Sequence, residues 1–221
     1  MQRNYSSTQA GTTDLFEALF TQRAIRSFKS EHVPDEVLWD VLEAATKAPS
    51  GGNLQPWGFL VIRDLGKRRQ LGAMLREFVE GNYQFQEMLA AAENDEDPVR
   101  RRQVVRARRL FTELEHVPVL IVPCLDQSDM PTDPGLLTGS SVYPAVQNLL
   151  LAARGHGLGT VLTTFQAMFE DKFVELFGLP ENVKPVALIP LGYPEVKFGP
   201  TTRKPVDTVV HWDQWGAIKT R

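Results

Sequence analysis

Residues 117–125 are apolar at both alternations of an extended chain, from Val117 through Leu120, Ile121 and Val122 to Cys124 and Leu125. A strand that is apolar on both faces has to be covered on both, so it belongs inside a sheet with helices on each side. The rest of the chain fits that requirement. Thr12 or Thr13 can cap a helix carrying Leu15, Phe16, Leu19 and Phe20 on one face, ending near Thr21. Pro34, Asp35 and Glu36 open a second helix, with proline at its first position and Val37, Leu38, Val41, Leu42 and Ala45 as its buried stripe. Trp57 to Ile62 reads as a strand, residues 65–92 and 98–115 as long helices broken at 94–98, and 139–154 as a strongly apolar helix. Strands are expected over 158–163 and 185–192, with a helix at 167–177 between them. The order predicts an α/β or α+β fold: one mixed central sheet flanked by helices, in a single domain over 12–221 behind a flexible leader at 1–11.

The chain has 221 residues, 43% of them hydrophobic, enough for a sizeable core, and a net charge of −3. It has no overall basic field to recruit nucleic acid or an anionic membrane, so any anion must be held locally. Arg100, Arg101, Arg102, Arg106, Arg108 and Arg109 form a stripe without interleaved aromatics, which reads as a solvated helix face. His32, His116, His156 and His211 show no metal-ligand spacing, so no metal is expected. Gly155, Gly157 and Gly159 follow a helix and precede a strand, the reverse of a dinucleotide-binding loop, and read as a helix cap and turn. Cys124, the one cysteine, lies in the apolar run and reads as a core thiol. No apolar run approaches the roughly 20 residues that span a bilayer, and a cytoplasmic location is expected.

Two sets of residues carry candidate chemistry. Between the second helix and the first strand lies Ala48-Pro49-Ser50-Gly51-Gly52-Asn53-Leu54-Gln55-Pro56-Trp57, where glycines permit close backbone approach and Ser50, Asn53 and Gln55 offer neutral donors and acceptors. Such a loop suits a planar polar heterocycle. Arg23 and Arg26 in the first connection, and Arg203 with Lys204 late in the chain, could bind a phosphate, whose oxygens a guanidinium engages bidentately. By spacing alone, a solvated arginine pair is the better reading. Residues 204–221 contain Val206, Val209, Val210, Trp212 and Trp215, more apolar surface than a loose terminus carries. They could pack on another subunit or fold back on their own.

Thr21-Gln22-Arg23-Ala24-Ile25-Arg26-Ser27-Phe28, then Val33-Pro34-Asp35-Glu36, the 48–57 loop, Gly157-Leu158-Gly159-Thr160, and Pro190-Leu191-Gly192-Tyr193-Pro194 through Arg203 and Lys204 resemble the nitroreductase family. The motifs fall in family order over most of residues 13–215. The resemblance implies a domain-entwined homodimer with two FMN sites at its interface and a C-terminal arm, here 204–221, embracing the partner. It further implies that Arg23, Ala24, Arg26 and Ser27 bind the flavin phosphate and ribityl chain, with Arg203 and Lys204 as the C-terminal phosphate partners. Pro49, Ser50, Gly51, Asn53 and Gln55 would reach the flavin of the other subunit. Leu162, Thr163 and Thr164 would lie against the isoalloxazine near N5.

The implied activity is a ping-pong cycle in which NADH or NADPH reduces FMN and a small aromatic acceptor, a nitroarene or quinone, takes two electrons. No side chain is required as a catalytic group. Many relatives carry Arg at Gln22 and Ser at Ala24, so phosphate contacts are fewer here or come from Ser27. The excursion at 65–115 would cover the flavin face and carries Phe78, Tyr83 and Phe85 as candidate substrate contacts, although at helical spacing such residues more often pack as core. A reductive dehalogenase like the iodotyrosine deiodinases, a flavin-fragmenting enzyme like the dimethylbenzimidazole synthases, and a protein that stores or senses flavin all fit the same motifs.

Overall fold

The computed structural model describes residues 13–129 and 139–219, so the leader at 1–11 and a cap at Thr12 lie outside the described residues. Strand β2 (Val119–Asp126) is the spine of the sheet. Val119, Ile121 and Leu125 enter one core, and Leu120, Val122 and Cys124 enter the other. The period of two thus delivers apolar side chains to both faces, as the continuous run requires. Burial pushes the Cys124 thiol up to about 11, which keeps it neutral and inert.

β1 (Trp57–Ile62) pairs antiparallel with one edge of β2 along its whole length. The expected strand at 185–192 is instead two, β4 (Val183–Pro185) and β5 (Ile189–Gly192), which share the other edge of β2. The cause lies in Pro123. It has no N–H to donate, and it sits where the partner strand is interrupted, its carbonyl accepting from Val186 N at 2.9 Å. β3 is shorter than the expected 158–163, covering Gly159–Thr160 against β5, with Thr163 rejoining through a bridge to Leu188. The path is β1-β2-β5-β3. Every ladder is antiparallel, and the mixed character rests on one parallel bridge, Ala24 to Thr160.

On one face, α2 (Asp35–Ala45) packs on α6 (Val142–Gly155). Pro34 is the N-cap of α2 rather than its first residue, a one-residue shift of the sort helix ends show. The opposite face is covered by α3 (Leu65–Gly81), α4 (Tyr83–Glu93), α5 (Pro98–Thr112) and α7 (Glu170–Phe177). The segment expected as one helix over 65–92 breaks at Asn82, whose side chain accepts from Phe85 N at 2.9 Å and starts α4. α5 ends at Thr112, short of 115, and the 167–177 helix begins at Glu170 after a 3-10 turn at Phe165–Phe169.

α1 (Leu15–Thr21) is capped by Asp14, not by a threonine; the Asp14 carboxylate accepts from Phe16 N at 2.9 Å, while the Thr13 hydroxyl accepts from Arg154 instead. Leu15, Phe16, Leu19 and Phe20 do not enter the core of the subunit, and Ala18 is the residue of α1 that is buried. Val206, Val209, Trp212 and Trp215 are also exposed, Trp215 by 88%. Among the described residues no helix is long and apolar enough to cross a membrane.

Candidate functional site

The chain after β5 runs antiparallel to the arginine-bearing connection. Lys29 N donates to Tyr193 O at 2.9 Å, Glu195 N to Ser27 O at 3.1 Å, Arg23 Nη2 to Lys197 O at 3.0 Å and Thr201 N to Phe20 O at 3.1 Å. On the other side Ile25 N donates to Thr160 O at 2.9 Å. Ile25 is buried so tightly over Gly159 that a Cβ there would meet Ile25 Cγ2 at 2.7 Å. Residues 22–28 are therefore held at the β3 edge of the sheet, and Arg203 follows two residues beyond Thr201, which is bonded to Phe20 at the end of α1. Arg203 and Lys204 are exposed, with Arg203 Nη1 bonded locally among the described residues, to Thr202 O at 2.8 Å.

Among the described residues Arg23, Arg26 and Arg203 form no ion pair, although Glu113 lines the small cavity beside Arg26. Arg23 Nε is buried with no hydrogen-bond partner among the described residues. Arg26 is half-buried, and burial together with the nearby Arg106 lowers its guanidinium below the ordinary range. A guanidinium with unfilled donors in a partly desolvated place gains from an anion. Ala24 is exposed and Ser27 half-buried. The donor set fits a phosphate, the group a flavin mononucleotide would present.

Leu162, Thr163 and Thr164 lie on the same edge. Thr163 is buried, and both its amide (3.0 Å) and its hydroxyl (2.7 Å) donate to Leu188 O. Leu162 and Thr164 alternate to the outside and are exposed, so they rather than Thr163 are open to a ligand.

The 49–55 loop lies elsewhere. Ser50 Oγ accepts from Gln55 N at 3.1 Å, Gln55 Nε2 donates to Asn53 Oδ1 at 3.3 Å, and Gly51 N donates to Ser141 Oγ at 3.2 Å. Asn53 and Gln55 hold positive φ, 56° and 51°, a conformation costly for residues with a Cβ and concentrated at binding sites. Pro49 and Gly51 are exposed with them. The loop feeds β1, at the sheet edge opposite β3. From β1 to the Ala24 segment is four strand spacings, about 19 Å, and the loop end of β1 is offset by about 20 Å along the strands. Within one subunit the loop and the arginines do not meet.

Phe78 and Phe85 stack edge to face at 5.9 Å, Phe85 and Phe111 at 5.8 Å, and Phe111 and Phe165 at 4.5 Å. This ladder ties the excursion to the residue after Thr164. Tyr83, in contrast, is 71% exposed. Sequence reasoning missed Arg154, a buried cation on α6 that bonds Thr21, Thr13 and Glu17 and stacks on Phe198. A signal was present: Val146, Leu150 and Arg154 are spaced by four, which places the arginine on the apolar stripe.

The sequence profile of the nitroreductase family matches residues 19–193. The chain belongs to the nitroreductase family. A Methanothermobacter thermautotrophicus protein, provisionally named NADH dehydrogenase/NAD(P)H nitroreductase, is 31% identical over 206 residues, 91% of this chain and 88% of the relative. Mouse iodotyrosine deiodinase 1 is 30% identical over 190 residues, 82% of this chain and 62% of the relative. Among solved structures, an oxidised iodotyrosine deiodinase bound to FMN and 3-iodo-L-tyrosine superposes with a TM-score of 0.68 at 25% identity, over 91% of this chain and all of that one. The antiparallel sheet between two helical layers is the nitroreductase fold.

Proposed function

We propose that this nitroreductase-family chain is an FMN-dependent oxidoreductase that takes electrons from NADH or NADPH and passes them to nitroaromatic or quinone-type acceptors. The observation that carries this reading is the pair Arg23 and Arg26, lacking carboxylate partners among the described residues and set beside the segment that brings in Arg203. These residues, with Ser27 and Lys204, hold the phosphate and ribityl chain; Leu162 and Thr164 face the ring system. FMN, when bound, supplies two-electron hydride chemistry between donor and acceptor. Arg26 offers its positive charge to the phosphate in a half-buried place, where such charge counts for more than in water. Protons for the acceptor come from solvent, since none of Leu162, Thr163 and Thr164 is a general acid.

The site belongs to a homodimer. The separation of the 49–55 loop from the arginines supports a loop that serves the partner's flavin, and the exposed faces of α1 and the 204–219 arm supply the apolar surface an interface needs. The likeness to iodotyrosine deiodinases supports a second reading, reductive dehalogenation.

The decisive experiment records the visible spectrum of the purified protein, identifies the released flavin, and follows anaerobic NADH and NADPH oxidation with a nitroarene, a quinone and a halotyrosine. Bound FMN, reduced by a nicotinamide and reoxidised by nitroarene or quinone, is the expected result. A colourless protein that takes up no FMN refutes the reading; reoxidation by halotyrosine alone transfers it to dehalogenation, and reduction by neither nicotinamide to storage or sensing.

A further inference from the structure

A cavity of about 650 Å³ opens between the C-terminal end of α3, the turn Phe165–Phe169 and the start of α7. That is the size of a site for a small organic ligand. Its walls are aromatic and thioether: Met74 and Phe78 come from α3, Met168 and Phe169 from the turn, all four half-buried. The walls are held from outside the cavity. Phe78 stacks edge to face on Phe85 at 5.9 Å, while the turn is pinned by Ala167 N donating to Thr164 O at 3.1 Å and by buried Gln166, whose Nε2 donates to Pro185 O at 3.3 Å. Lys172 Nζ lies 3.2 Å from Glu77 Oε1, which ties α7 to α3 at the rim. The space is therefore framed before any ligand enters it.

The ion pair neutralises Glu77 and Lys172, but Glu170 and Asp171 line the same cavity, and neither has an ion pair or a side-chain hydrogen bond among the described residues. Both stand in the first turn of α7, whose N-terminus carries the equivalent of about half a positive charge, so the cavity keeps a net charge of about −1.5. Aromatic faces and carboxylates together favour a cation that is itself flat. We propose that this cavity is a second binding site, separate from the flavin edge, for a small planar aromatic cation, with its rings among Met74, Phe78, Met168 and Phe169 and its charge beside Glu170 and Asp171. The same carboxylates repel phosphate, so neither FMN nor the diphosphate of a nicotinamide dinucleotide suits it. Of Phe78, Tyr83 and Phe85, Phe78 alone is among the lining residues.

Calorimetric titration of the purified protein at pH 8 with N-methylquinolinium, quinoline and 1-naphthoate compares rings of nearly equal size that carry a positive charge, none and a negative charge. N-methylquinolinium should bind about tenfold more tightly than quinoline, and 1-naphthoate more weakly than either. Glu170→Gln with Asp171→Asn, at positions outside the core, should bring the cation to the level of quinoline and leave quinoline unchanged, which also shows that the cavity survives the change. Phe169→Leu should weaken both rings, and added FMN should alter neither. No binding, equal affinities for the three rings, or a cation preference that the double variant leaves intact overturns the proposal. Unchanged quinoline binding in Phe169→Leu, or displacement of N-methylquinolinium by FMN, places the ring elsewhere and overturns it too. No flavin chemistry enters the readout, so a protein that takes up no FMN refutes the functional reading and leaves this test in force.

Discussion

The guanidinium of Arg154 lies 4.2 Å from the centroid of the Phe198 ring, while its Nε donates to Thr21 Oγ1 at 2.9 Å. One buried side chain on α6 thus joins α1 to the segment that carries Arg203. Its remaining donors reach Thr13 Oγ1 at 3.0 Å and Glu17 at 2.8 Å. Replacing Arg154 by Met should keep the buried stem, remove three hydrogen bonds and cost about 2–4 kcal/mol. Urea denaturation measures the loss, and a flavin titration should show weaker binding although Arg154 need not touch FMN.

Arg23→Ala together with Arg203→Ala should weaken FMN binding by about 100-fold or more, since each charge-assisted hydrogen bond contributes roughly 1.5–3 kcal/mol. Quenching of FMN fluorescence reads the affinity directly. Unchanged binding would disprove the phosphate assignment.

Gly159→Ala forces a methyl to within 2.7 Å of Ile25 Cγ2 and 2.9 Å of Ile25 Cβ. Overpacking of this kind costs about 1–3 kcal/mol. Because Ile25 lies between Arg23 and Arg26, the shift should lower FMN affinity along with thermal stability; a fall in stability with unaltered affinity would uncouple the Ile25 contact from the arginines.

Glu115 accepts from Arg76 at 2.8 Å. Burial raises its pKa, but the Arg76 hydrogen bond, a backbone hydrogen bond and the charges of Arg76 and His116 outweigh that and leave it below the ordinary value. Its folded pKa is therefore below the unfolded value of about 4.3, so the stabilisation is full above that pH and disappears as pH falls through the folded pKa. Glu115→Gln should reduce stability at pH 7 and flatten its acid dependence. Denaturation midpoints from pH 7 to pH 3 test this, and parallel curves for the two proteins would rule the contribution out.

Trp212→Ala with Trp215→Ala removes large exposed side chains from the arm. In the proposed homodimer this should shift sedimentation toward the monomer at low concentration and release flavin with it. A dimer that persists with full flavin content would remove the arm from the interface.

Much of this was legible in the residues. The doubly apolar run at 117–125 requires a covered central strand, and β2 is that strand, because strand periodicity is a local property of the backbone. The arginine and loop motifs were likewise recognisable as family motifs. Fine boundaries were not: Pro123 interrupts the neighbouring strand through a missing hydrogen bond that exists only once the strands pair, and Asn82 splits a helix that periodicity alone runs together.

The sequence by itself determined the central strand, the layered architecture and the kind of groups offered to a ligand, since these follow from side-chain chemistry at short spacing. Tertiary structure decided which groups meet. Lys197 O lies 174 residues from Arg23 yet accepts its hydrogen bond, whereas Ser50 and Asn53, far nearer in the chain, stand at the opposite corner of the sheet. Pairing order sets those distances, and pairing order is a property of the assembled sheet rather than of any segment within it.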